Sequence, residues 1–153
     1  NPPFPYSLTI PFIMRLPWHG DYRLDNCFFA PTRHRKSLIV MDWEFCGQGR
    51  GAYDVGTFVS EAFPPQDRKK AESGLLREYH SALEDRGVKG YSFEECLHDY
   101  RVSMLELLIF WIVTGGYCNY ESARAKTYLR NTLERLDAAI RDLDSTETVG
   151  LKL

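Results

Sequence analysis

A pair of prolines, Pro64-Pro65, divides the sequence into two parts with different patterns. Residues 1–63 contain short β-type runs separated by turn residues, whereas residues 64–144 show apolar residues at helical spacing. Because proline ends a helix and disfavours helical backbone in the residue before it, a short helix predicted at Asp54–Phe63 stops at this pair. We therefore expect an α+β fold that is mainly α.

Three long helices are predicted after the prolines, at Gln66–Arg86, Ser92–Thr114 and Glu121–Asp144. The second begins with a capping box, in which Ser92 and Glu95 satisfy each other's backbone N–H groups. It is expected to end at Gly115-Gly116. Its most apolar run, Leu107–Val113, is apolar all round and is predicted to be the buried middle of a bundle of about four helices.

The composition is that of an ordinary globular domain, because 44% of the 153 residues are hydrophobic and 26% are charged. With 19 Lys and Arg against 21 Asp and Glu, the net charge of -2 gives no electrostatic reason to expect nucleic acid or an anionic membrane as a partner. The longest apolar run has seven residues, and a membrane-spanning helix needs about 20.

The cysteine spacing excludes the common zinc patterns. The chain has four cysteines, Cys27, Cys46, Cys96 and Cys118. No C-x-x-C pair occurs, so we expect free thiols in a reducing compartment, which suggests a cytoplasmic protein. The chain shows no basic-then-apolar leader and begins with Asn1 rather than Met, which suggests a piece of a longer protein.

Two short apolar runs, Cys27–Ala30 and Ser37–Asp42, flank a charged turn and are predicted to form a β-hairpin. If Cys27–Ala30 pairs with Leu38–Met41, then Asn26 and Asp42 lie side by side at the open end of the hairpin. Asp21 then projects from the loop just before them. The sequence therefore predicts two carboxylates and one amide at one site.

This set of groups suits phosphoryl transfer. Carboxylate and amide oxygens are hard ligands, and Mg²⁺ typically uses one or two carboxylates together with phosphate oxygens. The remaining carboxylate, that of Asp21, is free to accept a proton from a hydroxyl group. A metal-bound phosphate beside a carboxylate base is the arrangement that phosphoryl transfer requires.

Three motifs carry a family resemblance. They are H-G-D-x-x-x-x-N from His19, D-W-E from Asp42, and G-x-G-x-G-A-Y-D from Gly47. In this order and spacing they resemble the carboxy-terminal lobe of the aminoglycoside phosphotransferase and choline kinase-like family, small-molecule kinases with a protein-kinase-like fold. The resemblance covers roughly residues 18–62, and the helical remainder is compatible with that family's helical lobe.

The resemblance implies roles for individual residues. Asp21 would be the catalytic base, braced by His19, and Asn26 and Asp42 would hold magnesium. Two residues would support the catalytic loop: Asp54, similar to a buried aspartate that accepts hydrogen bonds from that loop, and Glu44, whose role is less defined. Arg23 lies inside the loop and would face the substrate, a phosphate or solvent.

The amino-terminal lobe that the family implies has no counterpart in the sequence, which shows no glycine-rich hairpin over ATP phosphates and no strand lysine paired with a helix glutamate. We therefore divide the chain into an irregular lead-in (1–17), a catalytic and metal-binding segment (18–63), a helical subdomain (64–144) and a tail (145–153). The expected function is part of an ATP- and Mg²⁺-dependent phosphotransferase acting on a hydroxyl of a small molecule. The chain alone is expected to be incomplete and inactive.

Two other functions remain open at this point. The chain could be a degenerate lobe that binds a ligand or a protein without catalysis. It could also bind a dinucleotide, because Gly47–Ala52 matches G-x-G-x-x-[GA] after a strand and before a helix. Against the dinucleotide, Pro64-Pro65 and helices follow where a βαβ unit needs a second parallel strand. The glycines are expected instead to let the loop turn sharply.

Neither the basic turn of the hairpin nor the charge balance of the helical part identifies a substrate or a partner. Arg33, His34, Arg35 and Lys36 form a basic turn, expected at the solvated tip of the hairpin or in contact with a phosphate or partner. Residues 66–144 hold 14 acidic and 12 basic residues, so no acidic excess marks a cationic substrate. The identity of the substrate does not follow from the sequence.

Overall fold

The computed structural model describes residues 16–31, 36–118 and 120–150. Most of the predicted lead-in, with Pro2, Pro3, Pro5 and Pro11, lies outside the described residues, and so do Arg33, His34 and Arg35 of the basic turn. The strands are β1 (Leu16–Trp18), β2 (Cys27–Pro31), β3 (Lys36–Val40) and β4 (Gly47–Gly49). The helices are α1 (Ala52–Ala62), α2 (Pro65–Asp85), α3 (Phe93–Tyr117) and α4 (Ala123–Asp142). The described part of the chain is thus a mainly helical α+β fold.

Strands β2 and β3 form the predicted hairpin. The pairing is antiparallel, with Cys27 opposite Val40 and Phe29 opposite Leu38. One further backbone bond, from Met41 N to Asn26 O at 2.9 Å, extends the pairing past the ladder. The predicted register, with Cys27 opposite Met41, is therefore wrong by one residue: Asn26 faces Met41, and Asp42 lies one position further along. Both residues still lie at the open end of the hairpin, as the sequence predicts.

A second antiparallel pair, β1 with β4, is absent from the sequence-based prediction. The sequence pattern predicts an irregular lead-in up to Pro17 and a loop at Gly47–Gly49, but Leu16 pairs with Gly49 and Trp18 with Gly47. Pro17 is tolerated because each strand of a two-stranded sheet is an edge strand. The glycines do not turn sharply here: a Cβ on Gly47 would lie 2.6 Å from Trp18 Nε1, so they make room for the indole. Both sheets of the described residues are antiparallel, without the βαβ unit that a dinucleotide site needs.

Helix α3 begins as predicted and ends later than predicted. The Ser92 side chain accepts from Glu95 N, and Glu95 returns a bond to Ser92 N at 2.7 Å, which completes the capping box. The helix continues through Gly115-Gly116 to Tyr117. Glycine costs a helix only about 1 kcal/mol, and the missing side chain at Gly115 lets Leu129 of α4 pack closely against α3. Packing therefore overrides the stop signal.

The core lies around α3, which packs against α1, α2 and α4. Met104, Leu107 and Trp111 of α3 are buried against Leu136 and other apolar residues of α4. The run Leu107–Val113 is not buried all round, however. Its outer side, with Ile109, Ile112 and Val113, is 50–62% exposed. Among the described helices, none is long and apolar enough to cross a membrane.

A buried arginine joins α2 to the end of α4. Arg68 is 1% exposed, and its guanidinium is paired with Glu72 on its own helix and with Asp142 on α4. The sequence pattern gave no sign of this cluster, because the i,i+4 pair Arg68–Glu72 reads as an ordinary surface pair. After α4, a 3₁₀ turn at Ser145–Val149 packs against α3 and α4 within the segment assigned to the tail.

Arg68→Ala should lower the free energy of unfolding by about 3 kcal/mol and the Tm by about 9 °C, because it removes the buried guanidinium that pairs with two partly buried carboxylates. The measurement is chemical and thermal denaturation followed by far-UV circular dichroism. The control is Lys70→Ala, which removes a 78% exposed lysine of the same helix from a surface pair with Asp67. Equal effects of the two variants would contradict a structural role for the buried cluster.

Candidate active site

The loop after β1 is held to the helical core by one carboxylate. Asp54, in the first turn of α1, accepts hydrogen bonds from His19 N at 2.6 Å and from Gly20 N at 2.9 Å. Burial raises the pKa of Asp54, and the two backbone hydrogen bonds act in the opposite direction. This is the contact that the family resemblance implies for the residue. It fixes the backbone directly before Asp21.

His19 connects the same loop to the hairpin. It is 2% exposed, and its Nε2 lies 2.7 Å from Met41 O. Because Nδ1 accepts from Asp21 N at 3.3 Å, the proton is assigned to Nε2, which then donates to the Met41 carbonyl. The imidazole thus spans from the residue before Asp42 to the backbone of Asp21, and it keeps the two carboxylate-bearing segments in register.

Gly20 permits this close approach. It has a φ of +88°, and a Cβ at this position would lie 2.4 Å from Phe45 O. Phe45 belongs to the 3₁₀ turn Trp43–Phe45 that follows Asp42. Only a residue without a side chain therefore lets the loop at residues 19–21 pack against the segment that carries Asp42 and Glu44.

The side chain of Asn26 is hydrogen-bonded to Asp21. Asn26, 7% exposed, donates through Nδ2 to Asp21 O and to Asp21 Oδ2, both at 2.9 Å. These two bonds assign the amide orientation, because only the NH₂ group can donate to both oxygens. The amide oxygen of Asn26 is consequently left to accept a hydrogen bond or to bind a cation.

Asp42 adopts a backbone conformation that few residues other than glycine adopt. Its φ is 64° and its ψ is 62°, in the left-handed region, which Asp tolerates better than most residues. Its carboxylate is exposed at the open end of the hairpin, and Glu44, two residues later, is exposed as well. The imidazole of His19 packs 4.6 Å from the indole of Trp43, measured between ring centroids, and so supports the turn after Asp42.

Arg23 lies between Asp21 and two residues of the helical core. Its Nε is 3.2 Å from Asp21 Oδ2, an ion pair whose alignment falls short of a hydrogen bond. Its Nη1 donates to Tyr128 OH on α4 at 3.0 Å, and that hydroxyl donates to Glu61 Oε2 on α1 at 2.8 Å. The sequence leaves open whether Arg23 faces the substrate, a phosphate or solvent, and it gives no indication of Glu61 or Tyr128.

A cavity of about 150 Å³ opens beside this chain of contacts. Its lining residues are Arg23, Leu24, Asp25, Glu61 and Tyr128. Burial raises the pKa of Glu61, and its Oε1 is buried without a hydrogen-bond partner among the described residues. The cavity therefore offers a small space lined by charged and apolar side chains, and one of them, Arg23, is paired with the Asp21 carboxylate.

The family model for the phosphotransferase enzyme family matches residues 14–91, just over half of the chain, and covers all of these loop and hairpin residues. The chain belongs to this family. The acyl-CoA dehydrogenase family member 11 of Gallus gallus is 32% identical over 82 residues. That match covers 54% of this chain and 10% of the chicken protein, so the chain spans only a small part of its relative. No solved structure shows significant similarity to the chain.

The predicted magnesium ligands lie at the open end of the hairpin. Within residues 16–31, 36–118 and 120–150, no three His, Cys, Asp or Glu side chains meet in a cluster that could hold a metal ion. The predicted ligands are instead one amide, Asn26, and one carboxylate, Asp42. Mg²⁺ is commonly bound in this way, with few protein ligands and the remaining positions taken by water and phosphate oxygens.

Gly20→Ala should destabilise this phosphotransferase-family chain more than Gly87→Ala. Both glycines have nearly equal φ values, +88° and +87°, but nothing lies within 4 Å of a Cβ at Gly87. Each alanine should cost about 1 kcal/mol for left-handed backbone, and Gly20→Ala should add about 2 kcal/mol for the clash with Phe45. Urea denaturation measures both. Equal losses would show that residues 19–21 do not pack against the turn after Asp42.

Proposed function

We propose that this chain is the catalytic-loop, metal and acceptor part of an ATP-dependent phosphotransferase that transfers the γ-phosphate to a hydroxyl group of a small molecule. The observation that carries the proposal is the hydrogen bond between Asn26 and Asp21. Asp54 holds the backbone directly before Asp21, and the pair lies at the end of the hairpin next to Asp42. The family match supports the reaction class. The residue roles, the metal site and the small-molecule acceptor are proposed on the geometry.

Asp21 is suited to act as the base. Both described contacts of its side chain, from Asn26 Nδ2 and Arg23 Nε, are to Oδ2. Oδ1 is then the oxygen that would meet the acceptor hydroxyl and accept its proton as the phosphoryl group is transferred. Phosphoryl transfer depends mainly on positioning and electrostatic stabilisation, and a carboxylate fixed through one oxygen provides such positioning.

Asn26 and Asp42 are proposed to hold Mg²⁺. The amide NH₂ of Asn26 is engaged by Asp21, which leaves its oxygen as the donor atom, and Asp42 supplies an exposed carboxylate. A bound Mg²⁺ would neutralise charge on the phosphates. Glu44 lies on the exposed turn that follows Asp42, and we propose that it supports the catalytic loop beside the magnesium ligands.

The cavity lined by Arg23, which pairs with Asp21, is the proposed entry for the acceptor. A volume of about 150 Å³ holds a group of a few heavy atoms, so only the end of a substrate that carries the reacting hydroxyl fits inside. Its lining combines one cationic residue, Arg23, with two acidic ones, Asp25 and Glu61. This balance favours a hydroxyl compound over a strongly anionic one.

The hairpin is proposed as the surface that meets ATP and an amino-terminal lobe of the same protein. Phe28 and Ile39 face each other on one side of the hairpin, and Phe29 and Leu38 on the other. These side chains are 47–66% exposed, so both faces are uncovered. Because a two-stranded hairpin is marginally stable alone, we expect both faces to be packed in the complete enzyme. ATP as a substrate and four free thiols fit a cytoplasmic protein.

Asp21→Ala, in a protein that also contains the residues upstream of Asn1, should reduce kcat by at least about 10³-fold, because it removes the proposed base for the hydroxyl proton. The Kd for ATP-Mg should change little, since Asp21 is not a proposed metal ligand. Steady-state kinetics and calorimetric titration give the two numbers. Asp85→Ala, an exposed aspartate at the end of α2, is the matched control. Unchanged turnover in Asp21→Ala would exclude Asp21 as the base.

The exposed hairpin also favours a second candidate function, that of a non-catalytic module which binds a protein or ligand. An apolar surface on both faces of one hairpin is typical of an interaction site. Under this alternative the hairpin stays uncovered in the longer protein, whereas the kinase proposal requires the upstream residues to cover it.

Fluorescence of the dye ANS, which binds exposed apolar surface, distinguishes the two proposed functions. We expect the 153-residue chain to enhance ANS fluorescence severalfold, Phe29→Ser to reduce the enhancement, and the upstream-extended protein to lose it. Tyr117→Ser is the control, because Tyr117 is 90% exposed and lies on α3. Enhancement that persists in the extended protein, without turnover, would favour the binding module.

A further inference from the structure

Three side chains from distant parts of the sequence form a continuous chain of contacts that ends at Asp21. We call Arg23, Tyr128 and Glu61 the Tyr128 relay. Tyr128 is 105 residues from Arg23 and 67 residues from Glu61, and it contacts both through a single hydroxyl group. The relay thus joins the catalytic loop to α1 and α4 at the wall of the cavity.

The direction of the bonds in the relay is fixed by chemistry. A guanidinium can only donate, so Tyr128 OH must accept from Arg23 Nη1 at 3.0 Å. The hydroxyl's one proton is then free to be donated to Glu61 Oε2 at 2.8 Å. Loss of this oxygen would remove both bonds at once, which no other single-atom change in the relay does.

The charges of the relay depend on one another. Burial works against the charged form of Arg23, but the hydrogen bond to Tyr128 and the negative charge of Asp21 together raise the pKa of the guanidinium. Burial raises the pKa of Glu61, while the bond from Tyr128 and the charge of Arg23 act in the opposite direction. The Tyr128 ring is itself held edge-on against buried Trp111, with 5.5 Å between the ring centroids.

From this geometry we propose that Tyr128 is a positioning residue for Asp21. It holds the Arg23 guanidinium against Asp21 Oδ2 and so keeps Oδ1 aimed at the acceptor. The proposal rests on the proposed function, because it assumes that Asp21 acts on the acceptor hydroxyl. It adds that the helical part of the chain, through α4, sets the orientation of the catalytic carboxylate.

The test is Tyr128→Phe in a protein that includes the residues upstream of Asn1, with hydrolysis of ATP as the reaction, so that water serves as the acceptor. The phenyl ring keeps the packing against Trp111 and removes only the hydroxyl. We expect kcat to fall roughly tenfold, the effect of losing a hydrogen bond to a charged group. The KM for ATP and the Tm should stay within error of the wild type. Tyr117→Phe, at an exposed position of α3, should leave all three unchanged.

A second measurement follows the contact without any turnover. In the 153-residue chain, ¹⁵N relaxation of the Arg23 Nε–H group should report a rigid guanidinium in the wild type and a mobile one in Tyr128→Phe, with Arg23→Lys identifying the signal. A guanidinium equally rigid in both, an unchanged kcat, or a fall in kcat accompanied by an equal change in KM or a lower Tm would each overturn the positioning role. A wild-type protein without turnover but with a rigid Arg23 would overturn the proposed function, and the catalytic meaning of the relay with it.

Discussion

The pair of hydrogen bonds from His19 N and Gly20 N to the Asp54 carboxylate is the contact on which the site depends. It joins a loop that has little regular structure of its own to the first turn of α1. Helix α1 packs on α3, the centre of the core, so the loop takes its position from the helical part of the chain. Charge-assisted bonds to backbone N–H groups are stronger than neutral ones, and this pair lies largely out of water. Without it, the backbone directly before Asp21 would lose its hydrogen bonds to α1.

From this contact, the site extends in two directions, one towards packed and hydrogen-bonded side chains and the other towards exposed ones. Towards the helical core, Asp21 is fixed by Asn26, Arg23 and, through Arg23, by Tyr128. Towards the hairpin, His19 reaches the Met41 carbonyl, but beyond it Asp42 and the apolar hairpin faces are exposed. The contacts that hold Asp21 therefore lie within this chain, whereas Asp42 and the hairpin faces present exposed surface.

The elements that the sequence predicts well are those that form through interactions between residues close together in the chain. The capping box starts α3 at the expected residue, and two apolar runs on either side of a charged turn locate β2 and β3 to within one residue of the right register. The errors all come from packing between distant residues. Gly47–Gly49 forms a strand because it packs against Trp18, and α3 continues through Gly115-Gly116 because Leu129 packs against Gly115. Likewise, periodicity cannot show that the outer side of Leu107–Val113 has no covering element among the described residues.

The same distinction holds within the site. His19, Asp21, Asn26 and Asp42 lie within 24 residues of one another, so motif spacing and one hairpin suffice to bring them together. Glu61 and Tyr128 belong to no motif, and each has the pattern of an ordinary helical residue; only the packing of α4 against α1 places them near Arg23.

Asp42 shows most clearly why the site is more than a set of loop residues. A non-glycine residue in left-handed backbone carries strain, which persists only where the surrounding structure over-determines the conformation. Here the bond from His19 to Met41 O fixes the chain before Asp42, and the 3₁₀ turn packed on His19 and Gly20 fixes it afterwards. The strained conformation holds the carboxylate at the open end of the hairpin, where a relaxed, extended residue would continue the strand. The same loop that carries the proposed base therefore determines where the proposed metal ligand lies, so the two groups are positioned together by a single set of contacts.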